Sequence, residues 1–184
     1  MNQIIYTERR RTMDFLKLAA ERYSVRKFTN THLEQDIIDK ILKAGHLAPT
    51  GCNYQPQRIL VMNSDEAVEK LKKCTKCHFN APTAMLICYN KDECWTRKYD
   101  GKTCGVADAC IVTTHMMLEA TELGIGSTWV MHFDPAAMRE EFAIPKNIEP
   151  VALLVMGHPA PDATPMDLHS SFRPLEEVVC YDSF

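Results

Sequence analysis

From Ala109 to Leu118 the chain carries no Asp, Glu, Lys or Arg, and this run lies inside a longer stretch, 106–123, that reads as one helix. A helix that is apolar around most of its circumference belongs in a core or an interface. Gly124 and Gly126 follow it, as suits the end of a helix. The chain has 184 residues, the size of one domain able to bury a real core. A helix this long and apolar in so small a domain needs cover, from its own chain or from a second one.

The remaining elements supply some of that cover. Residues 13–22 read as a helix with Phe15, Leu16, Leu18 and Ala19 on its apolar side. After a polar break at 29–31, a helix over 34–46 sets Ile37, Ile38, Ile41 and Leu42 at helical spacing, with Thr31 or His32 near its start. It ends before Ala48-Pro49, because the residue preceding proline disfavours helical angles. Apolar runs predict strands at 58–62, 84–89, 127–131 and 151–156, and short helices fit 65–73 and 135–142. Residues 49–56 hold two prolines, Gly51 and Asn53 and form a shaped loop, while 90–105 is polar and irregular, with Trp95 and Tyr99. Gly157-His158-Pro159 closes the last strand, and the tail, 172–184, carries Arg173 and then an apolar run. The pattern mixes helices with four or five strands. Residues 1–12 are polar and read as a flexible arm.

Composition narrows the function. A net charge of -3, with 46% hydrophobic and 24% charged residues, describes an ordinary globular protein without the basic face of a nucleic-acid binder. The one basic run, Arg9 to Arg11, sits in the N-terminal arm and reads as a solvated, frayed end. No stretch approaches the roughly 20 apolar residues that span a bilayer, and no apolar segment follows the N-terminal charges, so a cytoplasmic location without membrane attachment is expected. The eight cysteines are therefore expected to be reduced thiols rather than a disulfide framework. Neither a G-x-x-x-x-G-K loop nor a G-x-G-x-x-G turn occurs, so any nucleotide cofactor must be held by scattered side chains.

Two clusters offer such side chains. Glu21-Arg22-Tyr23-Ser24-Val25-Arg26-Lys27-Phe28 follows a helix end. Arginine presents a planar fork that matches phosphate oxygens, serine adds a donor, and in an extended backbone 22, 24 and 26 share one side. The same segment also reads as a solvated polar turn. The second cluster, Leu47-Ala48-Pro49-Thr50-Gly51-Cys52-Asn53-Tyr54-Gln55-Pro56, combines small residues that let a backbone approach a flat ligand with amides that both donate and accept. Alone it reads equally well as a proline-stiffened turn before a strand.

Together, R-x-S-x-R-x-F followed by A-P-T-G-x-N-x-Q-P resembles the FMN-dependent nitroreductase family. So do the helix ending Glu122-Leu123-Gly124-Ile125-Gly126-Ser127-Thr128-Trp129, and the strand 151–159 followed by Arg173-Pro174-Leu175-Glu176-Glu177-Val178. The resemblance runs from about Phe15 to Val179. It implies an α+β fold in three α-β-α layers, a single domain over 13–184. The central sheet should be mixed but mainly antiparallel, with four to five strands flanked by helices. It also implies a homodimer with FMN at the interface, partly wrapped by the hydrophobic tail. The implied activity passes two electrons from NADH or NADPH through FMN to a small oxidised acceptor such as a nitroaromatic or quinone, by ping-pong kinetics. Arg22, Tyr23 and Ser24 fall in the phosphate and ribityl segment, and Arg26 is expected at the ribityl chain or the pyrimidine edge, where its charge would stabilise the reduced ring. Pro49, Thr50, Asn53 and Gln55 match the loop given by the partner subunit, and Met131 and His132 the backbone beside the flavin N5. Arg173 matches a C-terminal phosphate ligand. Where His132 stands, many members carry glycine or a small residue.

Other readings compete. The same ligands would serve a non-catalytic FMN store or sensor. Cys74-Thr75-Lys76-Cys77-His78 forms a C-x-x-C pair, which can be a redox dithiol or half of a zinc site whose further ligands Cys94 or Cys104 could supply. The favoured expectation is unliganded thiols on a helix end and no bound metal. Trp95 and Tyr99 could stack on a flat acceptor, but ordinary loop packing is the preferred reading.

Overall fold

The computed structural model describes residues 14–184, so the arm expected over 1–12 lies outside the described residues. Four strands, β1 (Gln57–Met62), β2 (Thr83–Asn90), β3 (Gly126–Val130) and β4 (Ile148–Gly157), form one sheet in the order β1-β2-β4-β3. Every strand pair is antiparallel. Among the described residues, parallel pairing occurs as a single bridge between Ser24 and Ser127, so the mixed character expected of the sheet reduces to that one contact. β4 starts earlier than its apolar run suggested. Pro150 would break a central ladder, but it sits where the register against β2 shifts between Ile87 and Cys88, an irregularity that tolerates a residue with no N–H.

Period-two alternation divides the sheet into two apolar faces. Met85, Ile87, Ala152, Leu154 and Met156 face one core with Ile38, Ile41, Val112 and Met116. Ala84, Leu86, Cys88, Leu153 and Val155 face the other with Leu71, Cys74 and Met138. The first core is covered by α2 (Gln35–His46) and α4 (Gly105–Glu122), the second by α3 (Asp65–Cys74) and α5 (Pro135–Glu141). The result is the three-layer α-β-α arrangement expected from the sequence. Each fully buried large side chain, Ile41 or Leu154 for example, contributes roughly 1.5–3 kcal/mol by leaving water.

Local signals fix the helix ends. The Asp14 carboxylate accepts from Leu16 and Lys17 N–H at the start of α1 (Phe15–Glu21), Ser64 caps α3, and Asp134 caps α5 just before a proline at its first position. The apolar α4 buries Ala109, Val112, Thr113, Met116 and Ala120 along one side. Its threonines avoid stranded hydroxyls by donating back to the carbonyl one turn earlier, as Thr113 does to Ala109 at 2.7 Å. α2 crosses α4 closely: a Cβ on Gly45 would lie 2.8 Å from Met116 Cγ.

Among the described residues, nothing covers the opposite side of α4 fully. Leu118 and His115 line a hollow of about 530 Å³ with Phe15, Leu18 and Leu47, and Phe15 and Leu47 stand exposed there. The tail, including α6 (Leu175–Val178), is exposed throughout from Ser170, with Phe172, Leu175, Tyr181 and Phe184 bare. Among the described residues, no helix is long and apolar enough to cross a membrane.

Candidate functional site

The exposed edge of β3 organises the arginine cluster. After α1, the chain turns extended at Arg22 and runs along that edge. Val25 N–H donates to Ser127 O at 3.0 Å, and Thr128 Oγ1 donates to Val25 O. Val25 is buried, which leaves Ser24 and Arg26 as its neighbours on the outward-turning backbone. Gly126 makes this approach possible, because a Cβ there would sit 2.8 Å from Val25 Cβ and both its methyls.

Arg22 is half-buried and lines a hollow of about 150 Å³ with Gly124, Ile125, Gly126 and Pro159. Its guanidinium has no hydrogen bond or ion pair among the described residues. A partly desolvated cation with free donors beside a glycine-rich turn has the chemistry to hold an anion such as phosphate. The hollow is smaller than the roughly 300–1,000 Å³ of a typical ligand pocket.

Tyr23 points its chemistry elsewhere. Its hydroxyl donates to Ala163 O at 3.3 Å and its ring packs edge-on against His169, with centroids 6.1 Å apart. It therefore anchors the tail, and Arg173 follows four residues after this contact. Arg173 itself is exposed and pairs with Glu177 at 3.6 Å. Arg26 donates to Ser24 O at 3.1 Å and lies 5.8 Å over the ring of Phe79, a cation–π contact.

That contact brings in a segment that the sequence reading treated only as a thiol pair. Thr75 Oγ1 donates to His132 O at 2.5 Å, and Asp134 N–H donates to Cys74 O at 2.8 Å. Residues 75–80 thus support both Arg26 and the Met131–His132 turn, where both residues are exposed. Phe79 and Asn80 adopt left-handed angles, φ 49° and 51°, to make the bend. His78 Nδ1 accepts from Asn80 N–H, and burial followed by Lys72 and Lys76 pushes its pKa down, which favours the neutral ring that this bond needs. Asn80 and Pro82 announce a turn in the sequence, but no spacing rule links Phe79 to Arg26.

Cys74 is a core residue whose thiol donates to Lys70 O; burial, then Glu141 and Asp134, push its pKa up and disfavour a reactive thiolate. Cys94 is likewise pushed up by burial first, with Asp108 adding to the effect. All eight cysteines are free thiols. Among the described residues, no group of three or more His, Cys, Asp or Glu is arranged to hold a metal.

The second cluster forms a compact turn. Gly51–Asn53 is a single 3-10 turn, and Cys52, Asn53 and Gln55 take left-handed angles. Thr50 Oγ1 accepts from Gln55 N–H at 3.1 Å, and Gln55 Nε2 reaches Asn53 O at 3.4 Å. Pro49, Asn53 and Gln55 are exposed. Trp95 packs its Cβ against Gly51, as loop packing predicted, whereas Tyr99 stands 98% exposed. No hydrogen bond or ion pair among the described residues joins this turn to the Arg22–Arg26 segment within one chain.

A three-layer α-β-α sandwich with an arginine-bearing segment along β3, a left-handed amide-bearing turn and an apolar helix face left bare by the described residues defines an α+β protein. The Nitroreductase family model matches residues 19–87 and 78–158. The chain belongs to the nitroreductase family. A nitroreductase family protein of Clostridium difficile 630 superposes with a TM-score of 0.88 at 42% identity, over 94% of this chain and 100% of that one. A Desulfovibrio desulfuricans structure, provisionally named a nitroreductase and solved in complex with FMN, has a TM-score of 0.76 at 26% identity, over 92% of this chain and 96% of that one. A Methanothermobacter thermautotrophicus protein that bears the provisional name NADH dehydrogenase/NAD(P)H nitroreductase is 27% identical over 168 residues, 88% of this chain and 85% of the relative.

Proposed function

We propose that this protein is an FMN-dependent NAD(P)H oxidoreductase that works as a homodimer. The observation that carries the reading is Arg22: a half-buried guanidinium, free of partners among the described residues, at a glycine-lined hollow in a nitroreductase-family fold. When bound, FMN supplies the chemistry, taking a hydride from NADH or NADPH and giving two electrons to a small oxidised acceptor such as a nitroaromatic or quinone.

The chain's own residues bind and orient. Arg22 and Ser24 hold the phosphate and ribityl chain, with Tyr23 fixing the tail from which Arg173 adds a second cation. Arg26, held over Phe79, places positive charge at the pyrimidine edge, where negative charge develops. The exposed Met131–His132 turn would lie beside the flavin N5 when FMN is bound. Pro49, Thr50, Asn53 and Gln55 come from the partner subunit, which explains why they do not meet Arg22 within one chain. The uncovered side of α4 and the bare tail give that partner an apolar seat. The protein works without a dedicated nucleophile, since orientation and electrostatics suffice.

One pocket serving donor and acceptor in turn gives ping-pong kinetics. Double-reciprocal plots at several acceptor concentrations should be parallel, and intersecting lines would overturn the shared pocket. Light scattering of the FMN-bound protein should give two chains per particle; one chain would overturn the interface site.

A further inference from the structure

Asp108 is a carboxylate in the first turn of α4, and it is only 2% exposed. The helix N-terminus favours a negative charge there. Oδ1 accepts from Gly51 N–H at 2.9 Å, and Oδ2 is buried with no partner. A buried carboxylate with one oxygen unmatched is costly, so its presence needs a reason beyond packing. Among the described residues, this bond is the one hydrogen bond that leaves 49–54 for another element; Asn53 N–H to Thr50 O and Tyr54 N–H to Gly51 O stay inside the turn. From the other side, Trp95 Cβ lies 3.2 Å and Cys104 Cβ 3.3 Å from where a Cβ on Gly51 would be. The turn is clamped between α4 and the 94–104 segment, and it holds left-handed angles that persist only when surroundings over-determine them.

We propose that Asp108 is the positioning residue of the flavin turn: through Gly51 N–H it sets Pro49, Thr50 and Asn53 against the flavin of the partner subunit. This rests on the function proposed above. The carboxylate touches no reacting atom and acts through the backbone it holds.

Fluorescence titration of FMN into the flavin-free full-length dimer reads the effect. Asp108→Ala removes the acceptor and should weaken FMN binding roughly tenfold to a hundredfold, the worth of one hydrogen bond to a charged group. Asp108→Asn keeps an oxygen at the same place and should recover most of the affinity, together with the wild-type visible circular dichroism of the bound flavin. A role in stability alone would lower Tm in Asp108→Ala but leave the FMN affinity and the flavin circular dichroism of the folded variant unchanged. Equal affinity in wild type and Asp108→Ala overturns the proposal, as does equal loss in both variants. If Asp108→Ala yields no folded protein, Gly51→Ala perturbs the same turn from the Trp95 side; it should also lose FMN affinity, and wild-type affinity there overturns the proposal. A wild-type chain that binds no FMN overturns the function reading as well, whereas a flavin-binding wild type indifferent to Asp108 overturns this inference alone.

Discussion

Replacing Gly126 by alanine should damage the fold and the flavin site together. The added Cβ would stand 2.8 Å from Val25 Cβ, Cγ1 and Cγ2, three contacts shorter than real carbon pairs tolerate. Val25 is 3% exposed and β-branched, so rotation about χ1 exchanges one methyl for another and leaves the Cβ in place. Relief requires a backbone shift in 24–26 or in β3. Overpacking of this kind costs about 1–3 kcal/mol. For a chain of this length that lowers Tm by roughly 2–12 °C. Because Val25 lies between Ser24 and Arg26, the same shift should weaken FMN binding. Gly124→Ala is the control for backbone strain alone. Its added Cβ meets nothing within 4 Å, but φ is +74°, so it should cost about 1 kcal/mol without the clash against Val25. Calorimetry with FMN titration checks both variants. A Gly126→Ala protein with wild-type Tm and wild-type affinity would refute the close approach of Val25 and the coupling drawn from it.

Arg22→Ala should weaken FMN binding roughly tenfold to a hundredfold in fluorescence titration, and Arg22→Lys should restore only part, because a point charge does not reproduce the planar fork. Met116→Ala, fully buried between α2 and α4, should lower unfolding free energy by about 2–5 kcal/mol in urea titrations. Burial pushes the Cys88 thiol from 9.0 up to about 12, so the unfolded chain loses that proton first as pH rises. This contribution is intact below about pH 9 and is lost between about pH 9 and pH 12, approaching about 1.4 kcal/mol per pH unit. Cys88→Ala should therefore flatten the alkaline fall in stability, and an unchanged slope would count against the buried thiol.

The fold was largely legible because its signals are local. Continuous apolar runs in 84–89 and 151–156 marked buried strands, and the uncharged run in α4 required cover. Pro150 hid the start of β4, since nothing in the sequence announces a register shift in the partner strand. The site was legible where residues neighbour one another, as in Arg22-Tyr23-Ser24-Val25-Arg26. It was not legible where folding brings distant segments together: Phe79 under Arg26, Thr75 on His132, and Asp108 beneath Gly51 each join elements far apart in the chain. Tyr23 shows the limit within a motif, because its place between Arg22 and Ser24, the proposed phosphate ligands, did not reveal that its own ring packs against His169.

The visible absorption spectrum of the purified protein, followed during anaerobic addition of NADH or NADPH, tests the central claim most directly. The account predicts a yellow protein with an FMN spectrum at one flavin per chain, bleached rapidly by the nicotinamide and restored by a quinone or nitroaromatic. A protein that stays colourless after incubation with FMN, or one whose bound flavin the nicotinamides leave oxidised, would contradict it.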